Sequence, residues 1–215
     1  MLCLDEGPGI FPLVGVMGLS VAITGGIACG KSLFAACLQR LGVDVLDADD
    51  VAHALESPDG AAVKPIRRRF GDAVIALDGG IDRSALAEQV FADSEALRDL
   101  NDLLHPMIRR VLDEWRDSPA ASKRAAVIPL LFEVGWEHDW DRVICVSSHT
   151  QTQFDRLMRL RGLSAEQARQ RLDAQLPIAE KAARAHLTVH NNAGPERLAE
   201  EAMRIYRLLY GEIRA

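Results

Sequence analysis

Apolar and polar positions fall into blocks of two periods along the chain. LSVAITG (19–25) is a short apolar run stopped by glycines, which suits a buried parallel strand. KSLFAACLQRL (31–41) predicts a helix with Leu33, Phe34, Cys37, Leu38 and Leu41 on one face, and Gly42 stands where a helix-terminating glycine belongs. VDVLDAD (43–49) predicts a second strand, AAVIPLLFE (125–133) a third, DRVICVSS (141–148) a fourth and HLTVHN (186–191) a short fifth. Residues 50 to 117 read as helix-rich, interrupted by the Gly-Gly turn of GDAVIALDGGIDRSAL, after which Asp82 can cap the next helix. Residues 150–184 are polar, rich in Arg and Gln, and helical in pattern. PERLAEEAMRIYRLLY (195–210) is a closing amphipathic helix with Pro195 in its first turn.

Strands alternating with helices imply an α/β fold, a parallel five-stranded sheet with helices on both faces. Ligands of such sheets bind at the carboxyl ends of the strands. The polar chemistry gathers there: Gly25 to Ser32 after the first strand, Asp47 and Asp49 after the second, Glu133 after the third and Asn191 after the fifth. The expected organisation is one domain over 17–215, with a core of 17–50, 124–149 and 185–215, a helical insertion at about 51–118 and a helical lid at about 150–184. Residues 1–16 carry Asp5 and Glu6, lack a basic leader and end directly before Met17, so they read as a tail or an over-called start.

Composition narrows the function classes. The chain of 215 residues is 48% hydrophobic and 26% charged, enough for a proper core. A net charge of −6 and only 5% aromatics argue against nucleic acid as a partner. No apolar run reaches the roughly 18 residues that span a bilayer, so no membrane partner is expected. Cys3, Cys29, Cys37 and Cys145 form no CxxC pair, which points to a reduced, cytoplasmic protein without a zinc site.

The chemistry begins at ITGGIACGKS (23–32). Gly25-x4-Gly30-Lys31-Ser32 matches GxxxxGK[ST] in full, between a strand and a helix. Gly25 and Gly30 supply backbone angles that bend a loop around an anion. The amides of Gly26, Ile27, Ala28, Cys29 and Leu33 can line it, and the helix from Lys31 offers the positive end of its dipole. Lys31 then reaches the β- and γ-phosphates of ATP, and Ser32 holds Mg²⁺. At Ala28 the methyl is harmless unless φ is positive, where it costs about a kcal/mol or two. Cys29 is either a thiol made reactive by Lys31 and the helix terminus or a small inert filler.

The loop alone suits GTPases, motor ATPases and small-molecule kinases. No NKxD guanine motif is present, and Glu133 follows Pro129 by too much irregular sequence for a motor's acidic strand end. A small kinase needs a base and an arginine-bearing lid besides the loop. Asp47-Ala48-Asp49 supplies the base if the second strand neighbours the first and both acids point one way from an extended end. The plainer alternative is that one acid caps the helix starting near Asp50. QFDRLMRLRGLSAEQARQRLDAQ (153–175) supplies the lid through Arg156, Arg159 and Arg161, while Arg169 and Arg171 read as a solvated face.

With these residues assembled, the sequence resembles the dephospho-coenzyme A kinases. The resemblance runs from Leu19 along nearly the whole chain. It is carried by TGGI, LGVDVLDADDVAHAL (41–55), GGIDRSALAEQVF (79–91), LNDLLHPMI (100–108), PLLFE (129–133), Gln153-x-x-Arg156-Leu157, GLS, AQ (174–175), EK (180–181) and NNAG (191–194), in the family's order. It implies transfer of the γ-phosphate of ATP to the ribose 3′-hydroxyl of dephospho-coenzyme A. It implies Asp49 as general base, with Asp47 beside it, and Lys31 and Arg156 stabilising the transferring phosphoryl. The insertion bearing Arg83 and His105 resembles the family's coenzyme-binding subdomain, and Asn191 its adenine-side loop. His105-Pro106 is equally a turn or kink, and Glu133 can equally pair with a helix terminus.

Three departures stand out. The usual GSGKST is ACGKSL, so Leu33 replaces a hydroxyl. Leu160 occupies a common arginine position between Arg159 and Arg161. Ala185-His186 replaces Ala-Asp before the last strand. The rival readings are a kinase for another acceptor, such as a nucleoside monophosphate, and a nucleotide-binding regulator without turnover.

Overall fold

The computed structural model describes residues 18–119 and 122–211, so the tail at residues 1–16 lies outside the described residues. In chain order the elements are β1 (Leu19–Gly25), α1 (Lys31–Arg40), β2 (Asp44–Asp47), α2 (Ala48–Glu56), α3 (Val63–Phe70), α4 (Arg83–Ala92), α5 (Ser94–Asp117) and β3 (Lys123–Val127). They continue with β4 (Arg142–Ser147), α6 (Thr150–Arg161), α7 (Ala165–Asp173), α8 (Ile178–Arg184), β5 (Leu187–His190) and α9 (Pro195–Tyr210).

All five strands are parallel, in the order β2-β3-β1-β4-β5. The alternation within each strand sorts the core onto two faces. Val21, Ile23, Ala125, Val127, Ile144 and Val146 pack against Phe34 and Leu38 of α1 and Leu198, Ala202 and Ile205 of α9. On the other face Ala22, Ala126 and Val143 join Ile66, Val90, Leu104, Ile108 and Leu112 of the helices between β2 and β3. Among the described residues no helix is long and apolar enough to cross a membrane.

Local signals account for most element ends. Asp82 caps α4 by accepting from the amides of Ser84 and Ala85, as its position after the Gly-Gly turn predicts. Ser164 and Gln167 form a reciprocal capping box on α7. Pro195 opens α9.

Five expectations are corrected. β2 is not beside β1, because β3 lies between them. β2 ends at Asp47 and Asp49 already belongs to α2, because the Asp47 side chain accepts from the Asp49 amide and starts the helix there. β3 stops at Val127; residues 129–135 of the apolar run that follows are a chain of turns. Leu33 does not share the buried face of α1 but is 38% exposed. Pro106 lies inside the 24-residue α5, so the turn offered as one reading of His105-Pro106 does not form.

Candidate active site

The loop between β1 and α1 has the angles that its glycines predict. Gly25 has φ 141° and Gly30 has φ 94°. A methyl group on Gly25 would lie 2.0 Å from the Val146 carbonyl oxygen, and one on Gly30 2.4 Å from Asn191 Nδ2. Ala28 has φ 59°, so it is the costly case for a side chain. Lys31 folds back along the loop, donating to the carbonyls of Gly25 (3.1 Å) and Gly26 (2.9 Å). Burial pushes its pKa down.

Cys29 is fully buried and packs in the core beneath the loop. Burial pushes its thiol pKa up, against the opposing charge of Lys31. Of the two readings of Cys29, burial favours the small filler: desolvation of a thiolate outweighs the loop's positive field.

In front of the loop lies a cleft of about 360 Å³. Ile27, Ala28, Gly30, Lys31, Ser32 and Leu33 form its floor, Asp47 and Asp49 one wall, and Arg156, Leu160, Arg161 and Gln175 the lid side. The acids reach this cleft although β2 is one strand removed from β1, because β3 ends early and leaves the space above it open. Asp47 Oδ1 accepts the Asp49 amide at 2.9 Å as the N-cap of α2. Burial also pushes the Asp47 pKa up. A second hollow of about 120 Å³ shares Asp49 and Pro129 with the first, and is lined further by His105, Ile108, Ile128 and Trp136. The His105 and Trp136 rings meet edge to face with centroids 5.7 Å apart, and burial lowers the His105 pKa.

Arg156 is the lid's anchor. It donates to Ala28 O (3.2 Å), Ser148 Oγ (3.1 Å) and Asn191 O (3.0 Å). Of the two arginines flanking Leu160, Arg161 lines the cleft with Arg156, and Arg159 does not. Arg169 stacks on Phe154, with the guanidinium carbon 5.7 Å from the ring centroid.

Within the loop, Gly25, Gly26 and Cys29 line neither hollow, and three further residues expected at the site do not either. Arg83 pairs with Glu56 (3.0 Å) and contacts His53, at the far end of α2. Glu133 faces the lid's base, accepting from the Leu176 amide (3.0 Å) and pairing with Lys181 (2.6 Å). Asn191 sits under the loop, where its Nδ2 donates to Cys29 O at 2.8 Å.

Sequence reasoning missed two residues here. Gln175 reaches into the cleft from the α7–α8 turn, and its Oε1 accepts the Ile27 amide at 2.9 Å. Lys181 is wholly buried, held by Glu133 and by the Pro129 carbonyl at 2.9 Å. The motifs AQ and EK contain both, but a lysine and a glutamine in a polar helical stretch carry no burial signal of their own.

The arrangement sets a phosphate-binding loop, two cationic lid residues and a carboxylate around one cleft, which suits phosphoryl transfer. Known proteins with this arrangement of sequence and fold agree. The family model described as "Dephospho-CoA kinase" matches residues 19–196. The dephospho-CoA kinase of Anaeromyxobacter dehalogenans is 44% identical over 194 residues, 89% of this chain and 92% of that protein. Among solved structures, TT1252 from Thermus thermophilus superposes with a TM-score of 0.78 at 36% identity, covering 90% of this chain and 98% of its own. The dephospho-CoA kinase from Campylobacter jejuni gives a TM-score of 0.65 at 26% identity, over 92% of this chain and all of its own (100%).

Proposed function

The chain belongs to the dephospho-CoA kinase family, and on that premise we propose how its residues divide the transfer of a phosphoryl group from ATP to the ribose 3′-hydroxyl of dephospho-CoA, the last step of coenzyme A synthesis. The loop amides and Lys31 bind and orient the triphosphate. Asp49 accepts the proton of the attacking hydroxyl; it lines both hollows, so a hydroxyl in one meets a phosphate in the other. Arg156 and Arg161 carry charge that neutralises the phosphoryl oxygens as the bond to the leaving phosphate lengthens. Ser32, Asp47 and Asp49 line the cleft with oxygen donors alone, which fits Mg²⁺; these residues would hold the ion, and it would supply positive charge against the phosphates.

The hollow walled by His105 and Trp136 has the apolar, ring-lined character that receives the acceptor's nucleoside end. Arg83 and Glu133 have supporting roles in this reading rather than substrate contacts. Asn191 holds the loop on the side away from the acceptor. Three free cysteines among the described residues suit a cytoplasmic location.

The observation that carries the proposal is the shared position of Asp49 between the two hollows. The test is ADP release by the purified protein with Mg-ATP. Release dependent on dephospho-CoA is expected. Release with a nucleoside monophosphate instead, or nucleotide binding without turnover, would overturn the acceptor or the enzyme assignment respectively.

A further inference from the structure

We infer that Gln175 is a direct contact of the γ-phosphoryl group, a lid-borne donor through which the cleft distinguishes ATP from ADP. This deepens the reading of the site as a kinase cleft and rests on it.

The chemistry of the side chain gives the first step. The Ile27 amide can only donate, so the oxygen end of the Gln175 amide faces it, at 2.9 Å. The NH₂ end is then turned away from the loop floor. Gln175 lines the cleft, and among the described residues its NH₂ group makes no hydrogen bond. Two hydrogen-bond donors thus face a cleft whose floor and lid carry the cations Lys31, Arg156 and Arg161, opposite the Asp47–Asp49 wall. The group that matches them is an anionic oxygen.

The topology says which oxygen. Gln175 precedes Leu176, whose amide is held by Glu133 on the segment after β3. Lys181, buried behind it, ties Glu133 and Pro129 of that same segment to α8. β3 lies between β1 and β2, so Gln175 is fastened on the side of the loop that faces the Asp47–Asp49 wall. Asn191 braces the loop from the opposite, β4–β5 side. The transferred phosphoryl must lie on the side of the acceptor base. Gln175 therefore meets the γ-phosphoryl, and with ADP bound it has no such partner.

The test is nucleotide affinity, by calorimetry, for ADP and for a non-hydrolysable imido analogue of ATP, with Gln175→Leu and Gln175→Glu. Loss of a hydrogen bond to a charged oxygen weakens the analogue by about 10-fold or more. The Leu variant should show that loss with ADP affinity changed less than about 2-fold. The Glu variant keeps the shape but replaces donors with a negative charge, and should lose more of the analogue's affinity than the Leu variant. Retained ADP binding also establishes that each variant is folded. Equal loss for both nucleotides would make Gln175 a prop of the loop and overturn the inference; so would unchanged affinity for both. Turnover assays on the same wild-type preparation separate the two levels. If only a nucleoside monophosphate is phosphorylated, the acceptor assignment fails while the ATP–ADP comparison still decides Gln175. If the wild type binds neither nucleotide, both fail.

Discussion

Asp47 Oδ1 accepts the backbone amide of Asp49 at 2.9 Å, and this one bond separates the duties of the two acids. Asp47 starts α2; Asp49, one turn position later, faces both hollows. Asp49→Asn should lower kcat by about 10²–10⁴-fold with ATP affinity retained, as for loss of a general base. Asp47→Ala should cost about 1 kcal/mol of stability through the lost cap. Steady-state kinetics and urea denaturation of the two variants would distinguish the roles, and near-normal turnover in Asp49→Asn would remove it from the mechanism.

Ala28 holds φ 59° inside the loop. A left-handed L-residue costs roughly 1–2 kcal/mol, while glycine loses about 0.4–1 kcal/mol more chain entropy on folding. The difference favours glycine, so Ala28→Gly should stabilise the protein by about 0.5–1 kcal/mol. The readout is the denaturation midpoint in urea. A lower midpoint would mean that the loop is not strained at this residue.

The Glu133–Lys181 pair predicts an asymmetry. Lys181 is 0% exposed and Glu133 20% exposed at the side chain. Glu133→Ala leaves a buried ammonium with one carbonyl partner, and breaking a buried pair in this way costs about 3–5 kcal/mol. Lys181→Met removes the buried charge and leaves a carboxylate that reaches water and still accepts the Leu176 amide, so its loss should be smaller. Equal losses would contradict the burial difference.

His186 ties the start of β5 to β4 through its ring and its backbone. Its Nδ1 accepts the Val143 amide at 3.0 Å, while its own amide donates to Val143 O, also at 3.0 Å. Burial and then Arg142 lower its pKa. A histidine with a lowered folded pKa binds fewer protons folded than unfolded, so it favours folding above its unfolded pKa of about 6.5. That contribution is lost as pH falls from there through the folded value. His186→Asn should flatten the gain in stability between about pH 5 and 7 relative to wild type, measured by thermal unfolding across that range. An unchanged pH profile would argue that the ring is not titrating with the fold.

The sequence by itself determined the α/β alternation, the phosphate loop and the starts of α4 and α9. These are local matters: strand and helix periods, a fixed spacing of glycines and a lysine, and cap residues act within a few positions of themselves. It also contained the resemblance that named the acceptor. The order of the strands was not legible, because pairing depends on which faces bury together, and β3 came to lie between β1 and β2. Nor was the end of β3, since an apolar run looks the same as strand or buried turn. Cys29 shows the reason most plainly. Its neighbours in sequence, Lys31 and a helix terminus, left open an acidic thiol, but the residues that pack over it bury it fully and push its pKa up. Gln175 and Lys181 were invisible for the same cause: what they touch, Ile27, Pro129 and Glu133, lies far from them along the chain and becomes adjacent only when the lid's α7–α8 turn closes on the end of β3.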